Sequence, residues 1–150
     1  MKKHSEELSP LEDLLGHRFS DRELLMRALT HSSHAHEVGD ESASDAISDN
    51  EQLEFLGDAV LGFVTSRALF ERFPNWNEGR LSKTRAHLVS ARHLIKVAKQ
   101  VGLGNFLRLG RGEERSGGRQ KSALLVDALE ALIAALYLDG GIDAAREFIL

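Results

Sequence analysis

The sequence predicts an all-α protein, and three observations lead to this prediction. Apolar residues recur at intervals of three and four over several long stretches, which is the spacing of helices with a buried face. No stretch alternates apolar and polar residues as a half-buried strand does. Only two prolines occur in 150 residues, too few for the frequent turns of a β-sandwich. A chain of this length predicts a single domain over 1–150.

The first two predicted helices each have a starting signal. Ser9-Pro10 opens the first, because proline is tolerated in the opening turn of a helix. Ser20 and Glu23 form the pattern of a capping box that opens the second. Residues 31–49 are polar, acidic and rich in serine, without periodicity, so we expect a long mobile loop there.

Four further helices are predicted, and glycine or proline follows the first three of them. They span 50–72, 82–100, 122–138 and a segment that begins near Ile142. Between the second and third lies the stretch LGRGEERSGGRQ (109–120), which we expect to be a basic, glycine-rich loop.

The composition excludes several kinds of protein. The absence of cysteine excludes disulfides, cysteine-based zinc or iron–sulfur sites and a cysteine nucleophile. No apolar stretch follows the basic residues at the start, so a secretory signal is not expected. The longest apolar run, 123–138, contains two acids and is too short for a membrane span. These features predict a cytoplasmic protein with no membrane partner.

The charge is distributed unevenly along the chain. The net charge is −4, but residues 80–121 carry +9, and eight acids lie within 37–58 without a lysine or arginine. Such a protein can bind a polyanion with one part and cations with another. The alternative is a helical protein whose opposite charges are only solvated surfaces.

Acidic residues are clustered on two otherwise apolar helices. At 100° per residue, Glu51, Glu54 and Asp58 share a stripe about 60° wide. Because apolar residues cover most of the remaining surface, we expect this helix to be buried nearly all round. Asp127 and Glu130 lie one turn apart on the apolar helix 122–138, so we expect the two sets of acids to face each other.

Buried carboxylates without partners require cations or protons, because their desolvation and mutual repulsion are costly. The two acidic stripes contain no lysine or arginine. Ligands that are all oxygen suit Mg²⁺ or Mn²⁺ rather than zinc. Together with the basic segment, the acids indicate metal-assisted hydrolysis of a phosphodiester.

Three alternatives to a metal site remain open from spacing alone. Ser48 and Glu51 form the pattern of a capping box, which would account for Glu51. Glu54 and Asp58 could pair with a basic residue such as Arg85. Asp127 and Glu130 could be structural acids without a catalytic role.

Residues 50–61, NEQLEFLGDAVL, resemble the signature of the bacterial ribonuclease III endonuclease domain. That family usually has arginine at the position of Gln52. Further similar segments follow the order of the family and extend the resemblance over nearly the whole chain. They are LLGHRFSDRELLMRALTHSS, EGRLSKTRAHLVS, LRLGRGEERSGG and LLVDALEALIAALYLDGG.

The resemblance implies the helical, homodimeric fold of this endonuclease domain and a role for each matching acid. Glu54, Asp127 and Glu130 would bind Mg²⁺, with Mn²⁺ as a substitute. Asp58 and Glu130 would be the residues most directly required for cleavage. Accessory acids and a contact across the dimer interface are implied for further residues: Glu51 and Glu78 for the acids, and Phe55 for the contact. A core phenylalanine would look the same as Phe55 in the sequence.

The resemblance also implies the substrate and the products. Double-stranded RNA would be cut to 5′-phosphate and 3′-hydroxyl ends with two-nucleotide 3′ overhangs, in the processing of rRNA, mRNA and other RNA, without an organic cofactor. Bacterial members usually carry a double-stranded-RNA-binding domain after this one, and the chain does not contain it. We therefore expect a longer native protein, with a short form such as mini-ribonuclease III as the alternative.

Overall fold

The structure is a computed structural model, and it describes residues 2–37 and 48–150. No strand occurs in these two ranges, where the one β-type pairing is an isolated bridge between Thr30 and Arg108. The all-α prediction is confirmed. The helices are α1 (Lys2–Leu15), α2 (Arg22–Ala28), α3 (Ser32–Glu37), α4 (Glu51–Arg72), α5 (Glu78–Leu88), α6 (Ala91–Gln100), α7 (Arg111–Arg115) and α8 (Ser122–Ile149), and short 3-10 turns lie at Leu103–Phe106 and Gly118–Gln120.

The core is built around α8 and the helix that packs along it, α4. Residues 128–136 of α8 are buried without interruption, because apolar or small side chains occupy almost every position of this stretch. From α4, buried leucine and valine side chains join the same core. The two helices that carry the acids are therefore direct neighbours in the centre of the domain.

The final helix changes direction at Gly141, where φ is +84°. Glycine adopts this left-handed conformation without the strain that a side chain would cause. The predicted end of the helix at residues 139–141 and the start of another near Ile142 are confirmed. Just before the kink, the Asp139 carboxylate accepts hydrogen bonds from the backbone N–H groups of Ser20 and Asp21. This contact ties the start of α2 to the end of the central helix.

The predicted starts of the first two helices are wrong. Helix α1 begins at Lys2 and continues through Pro10, so proline lies inside the helix rather than in its first turn. Helix α2 is capped by Asp21 and not by Ser20, because the Asp21 carboxylate accepts a hydrogen bond from the Leu24 N–H at 3.2 Å. The backbone of Ser20 is bonded to Asp139 instead.

Three predicted segments contain more helices than expected. The expected loop over 31–49 contains α3, and residues 38–47 lie outside the described residues. The basic helix predicted over 82–100 is two helices, because Ser90 leaves the helical conformation and its hydroxyl caps α6 at His93. The stretch 109–120 contains α7 and a 3-10 turn, which Arg119 stabilises by donating to the carbonyls of Gly104 and Leu107.

Helix α4 is not buried nearly all round, which corrects the expectation from its apolar composition. Three phenylalanines, which we call the phenylalanine stripe, lie on one side of it: Phe55, Phe63 and Phe70 are 81%, 57% and 72% exposed. Helices α5 and α8 cover other parts of α4 and leave this side open. In the part of the chain that is described, no helix is both long enough and apolar enough to span a membrane.

Candidate metal centre

Helices α4 and α8 bring carboxylates from distant parts of the sequence together. One carboxylate oxygen from each of Glu54, Asp127 and Glu130 lies within 4.8 Å of the other two. The Asp58 carboxyl lies within hydrogen-bonding range of Glu130, and that of Asp127 lies within the same range of Glu54. These four side chains form what we call the acidic cluster.

A glycine allows the two helices to approach this closely. Gly57 lies on α4 between Glu54 and Asp58, against the backbone of Glu130. A Cβ atom on Gly57 would lie 1.7 Å from the Glu130 carbonyl oxygen, far inside van der Waals contact. Only glycine fits here, so the short distance between the carboxylates depends on this residue.

The cluster has unusual electrostatics. Burial, followed by the negative charge of Asp127 and a hydrogen bond to it, raises the pKa of Glu54 to about 7. Burial, followed by a hydrogen bond to Asp58 and its charge, raises the pKa of Glu130 to about 8. Without a cation, the cluster therefore holds protons at neutral pH, because four carboxylates at this distance cannot all be ionised cheaply.

No lysine or arginine among the described side chains forms an ion pair with the cluster. Arg85, the partner considered from the sequence, donates to the Ser66 hydroxyl at 3.0 Å. The capping box from Ser48 to Glu51 is also absent, because Asn50 is the N-cap of α4 and the Glu51 N–H bonds to Asp49. Two of the three alternatives are thus contradicted, while a purely structural role for Asp127 and Glu130 stays open.

The donor set fits a hard divalent cation. It offers carboxylate oxygens alone, with neither the imidazole nor the thiolate ligands that zinc prefers. The raised pKa values of Glu54 and Glu130 show that the cluster lacks positive charge, which an ion of charge +2 would supply. The residues present therefore suit Mg²⁺ or Mn²⁺.

The remaining predicted site residues lie outside the cluster. Glu51 is exposed on the first turn of α4, where its charge contributes to the raised pKa of Glu54. Glu78 begins α5, accepts a hydrogen bond from Ser82, and lines a groove beside the phenylalanine stripe. Glu78 is not among the residues whose carboxylate oxygens converge in the acidic cluster of one chain. Phe55 is not a core residue, because 81% of it is exposed.

The basic segment divides into a surface and an internal part. Six exposed lysines and arginines lie on α5 and α6 and form what we call the basic surface: Arg80, Lys83, Arg85, Arg92, Lys96 and Lys99. Others hold the chain together instead. Arg119 pairs with Glu114 and Lys121 pairs with Glu113, at 2.6 Å and 2.7 Å. These two pairs are neutral and are already counted in the sequence sum of +9, of which the basic surface supplies six charges.

Fold and site together define a helical domain with an acidic centre suited to a divalent metal. Residues 21–150 match the model of the Ribonuclease-III-like family. The chain belongs to this family.

The relatives agree with this assignment. The chain is 59% identical to Ribonuclease 3 of Solibacter usitatus over 93% of its own length and 52% of the relative's. It is 53% identical to Ribonuclease 3 of Syntrophobacter fumaroxidans over 95% of its length and 57% of the relative's. The chain thus spans little more than half of these proteins.

Solved structures show the same fold. The nuclease domain of ribonuclease III from Campylobacter jejuni superposes with a TM-score of 0.83 at 40% identity, covering 94% of this chain and 92% of that one. The description of that structure concerns flexibility in a region involved in dimer formation. Dicer from Pichia stipitis superposes with a TM-score of 0.58 at 26% identity, over 87% of this chain and 51% of that one.

Proposed function

We propose that this domain is a divalent-metal-dependent endonuclease that cleaves double-stranded RNA. The observation that carries the proposal is the acidic cluster, in which four carboxylates meet without a basic partner among the described side chains. Membership of the Ribonuclease-III-like family supports it. A cluster of this kind is costly to keep in a core unless cations are bound.

Each acid receives a role in the proposal. Glu54, Asp127 and Glu130 would hold Mg²⁺ or Mn²⁺, since their oxygens already converge. A bound ion of this kind activates water and stabilises the charge that develops on a leaving oxygen. Asp58 is more exposed than Glu130 and lies beside it, at the boundary between the cluster and solvent. Asp58 and Glu130 are the proposed catalytic pair, and Glu51 and Glu78 are accessory acids.

Recognition of RNA would depend on the basic surface. Lysines and arginines on α5 and α6 are exposed to solvent and can contact phosphates, whereas base edges are out of reach in the deep major groove of an A-form duplex. Binding would therefore follow the shape, the phosphates and the 2′-hydroxyls of the duplex. Its affinity should fall steeply with salt, because each phosphate contact releases counterions.

Self-association is part of the same proposal. The phenylalanine stripe is the kind of exposed apolar surface that a second copy of the chain would cover. The description of the Campylobacter jejuni nuclease domain, which names a region involved in dimer formation, supports self-association. In a homodimer, two acidic clusters would act on the two strands of one RNA duplex.

The proposal extends to products and cellular role. Cleavage would leave 5′-phosphate and 3′-hydroxyl ends with two-nucleotide 3′ overhangs. The natural substrates would be precursors of rRNA, mRNA and other RNA in the cytoplasm.

The test is to incubate a long, end-labelled RNA duplex with the chain in Mg²⁺ and, in parallel, in EDTA. The proposal expects cleavage in Mg²⁺ alone, with a single-stranded RNA of the same sequence left intact. Duplex binding without cleavage would instead indicate a non-catalytic relative that has kept the fold. If the chain neither binds nor cleaves the duplex, the result would indicate a structural helical protein.

A further inference from the structure

We infer that Asn50 is a positioning residue that holds the first turn of α4, and with it Glu54, in place at the acidic cluster. The inference rests on the proposed function, because it concerns the same metal centre. Asn50 is the N-cap of α4, is only 5% exposed, and has no catalytic group of its own.

Asn50 forms hydrogen bonds both to the segment at the end of α2 and to the first turn of α4. Its backbone N–H donates to the Thr30 carbonyl at 3.0 Å, and its side-chain Nδ2 donates to the Ala28 carbonyl at 3.1 Å. In the other direction, its own carbonyl accepts the N–H of Glu54 at 2.9 Å. A direct chain of hydrogen bonds therefore runs from the end of α2 through Asn50 to the backbone of a proposed metal ligand.

The use of the Asn50 side chain is unusual for an N-cap. An asparagine at this position ordinarily accepts a bond from a helix N–H with its side-chain oxygen, and aspartate serves as well. Asn50 makes no such cap bond. Because a carbonyl such as that of Ala28 can only accept, the side chain must present its NH₂ group. The Asp49 carboxylate, rather than the Asn50 side chain, accepts the hydrogen bond from the Glu51 N–H.

The carbonyls that accept hydrogen bonds from Asn50 belong to the buried segment 28–30. The backbone N–H of Arg108 donates to the Leu29 carbonyl at 2.8 Å, between the two carbonyls that Asn50 uses. Ala28, Leu29 and Thr30 are all buried. The start of α4 is thus fastened to a buried segment that a second part of the chain also holds.

Arg27 provides a second attachment from α2. Its Nε donates to the Asp49 carbonyl at 3.1 Å, and its Nη2 donates to the Gln52 side-chain oxygen at 2.9 Å. Both acceptors flank Asn50 in the sequence. The ribonuclease III family usually has arginine at the position of Gln52. In this chain the Gln52 side chain accepts a hydrogen bond from Arg27, which lies on α2.

The first turn of a helix needs such support, because its N–H groups lack partners within the helix and ends open more easily than centres. Glu54 lies in this turn, whereas Asp58 lies beyond the close contact at Gly57. We therefore expect Glu54 to be the ligand whose position depends most on Asn50.

The test compares Asn50→Asp with the control Asn77→Asp in the full chain. Asn77 is the N-cap of α5 and accepts a bond from the Arg80 N–H at 2.9 Å, so aspartate can replace it. At Asn50, aspartate removes the NH₂ donor and sets a carboxylate against the Ala28 carbonyl. We expect Asn50→Asp to weaken Mn²⁺ binding, measured by calorimetry, by about tenfold or more, and Asn77→Asp to leave it unchanged.

Amide hydrogen exchange supplies a readout that requires neither metal nor RNA. Protection of the Glu54 amide should fall by about tenfold in Asn50→Asp, while the amides of Val60 and Leu61 keep theirs. Equal loss at all three amides, or parental Mn²⁺ affinity with parental exchange at Glu54, would overturn the inference. If Asn50→Asp does not fold, Arg27→Gln serves as the second variant and must show the same selective loss at Glu54. Failure of the parent chain to cleave RNA would remove the proposed function and leave the exchange result standing.

Discussion

Gly57 on α4 lies against the backbone carbonyl of Glu130 on α8, and the Cβ atom that it lacks would sit 1.7 Å from that oxygen. The neighbours of Gly57 on either side of this contact include Glu54 and Asp58. Close packing of backbones at one glycine thus places carboxylates from two helices within 4.8 Å of one another. Backbone packing and the chemistry of the site depend on the same contact.

Replacing this glycine should damage both stability and the site. In Gly57→Ala, the added methyl group must push the helices apart, so we expect the free energy of unfolding to fall by about 2 kcal/mol or more. Mn²⁺ affinity should fall as well, because the carboxylates separate. Denaturant titration and calorimetry measure the two effects. The control is Gly79→Ala on α5, where a Cβ would meet only the Asn77 side chain at an ordinary 3.6 Å; equal losses in both variants would contradict this account.

Removing the charge of Glu130 should separate catalysis from binding. Glu130→Gln keeps the size of the side chain but removes a ligand oxygen with full negative charge, so cleavage of duplex RNA should fall at least about a hundredfold. Dimer formation and duplex binding should stay near parental values, because Glu130 is buried and belongs to neither the phenylalanine stripe nor the basic surface. Single-turnover cleavage and a gel-shift assay measure the two properties. Cleavage near the parental rate would exclude Glu130 from the metal centre.

The raised pKa values predict the pH dependence of stability in the absence of metal. Glu54 and Glu130 have pKa values raised to about 7 and about 8, so the folded state binds protons that the unfolded chain releases at lower pH. Their contribution to stability is complete below the unfolded pKa and is lost as the pH rises through 7 and 8. In EDTA, the free energy of unfolding should therefore fall between about pH 5 and pH 8.5.

Two comparisons isolate this effect from other titrating groups. The fall should be smaller in Glu130→Gln, which has no proton to lose at this position. Mg²⁺ should reduce it in the parent chain, since ion binding stabilises the ionised cluster. A pH profile of the parent that is identical to that of Glu130→Gln in EDTA would show that the cluster does not hold these protons.

The exposed Phe55 predicts the basis of self-association. Because its side chain is 81% exposed, Phe55→Ala should leave the stability of the monomer almost unchanged. If a second copy covers the phenylalanine stripe, the substitution should weaken dimerisation by about 30-fold or more. Analytical ultracentrifugation over a range of concentrations measures this. Leu14→Ala, at a 54% exposed position on α1, is the control; parental dimerisation in Phe55→Ala would contradict the assignment.

The central helices and their acids were predictable from the sequence. Apolar spacing of three and four residues indicates α4 and α8, and the same spacing places Glu54 with Asp58 and Asp127 with Glu130. An acid in such an apolar helix lacks an ordinary solvated environment. This local pattern was enough to predict that the two pairs face each other.

Features that depend on distant parts of the chain were not predictable in this way. Ser90 divides the basic stretch because its hydroxyl caps α6, yet in the sequence it reads as one more polar residue of an amphipathic helix. Apolar spacing alone does not distinguish Phe55 from a core residue, because its 81% exposure depends on which helices cover α4. The role of Asn50 depends on carbonyls twenty residues or more away, so nothing in its local pattern distinguishes it from an ordinary cap.

The central claim is that the acidic cluster exchanges its protons for divalent ions. Titration calorimetry of the metal-free chain with Mn²⁺ near pH 7, in two buffers of different ionisation enthalpy, measures binding and proton release together. We expect saturable binding with release of protons, because Glu54 and Glu130 are partly protonated at this pH. We also expect Glu130→Gln to lose most of this binding. Absence of saturable binding in the parent, or undiminished binding and proton release in Glu130→Gln, would contradict the claim.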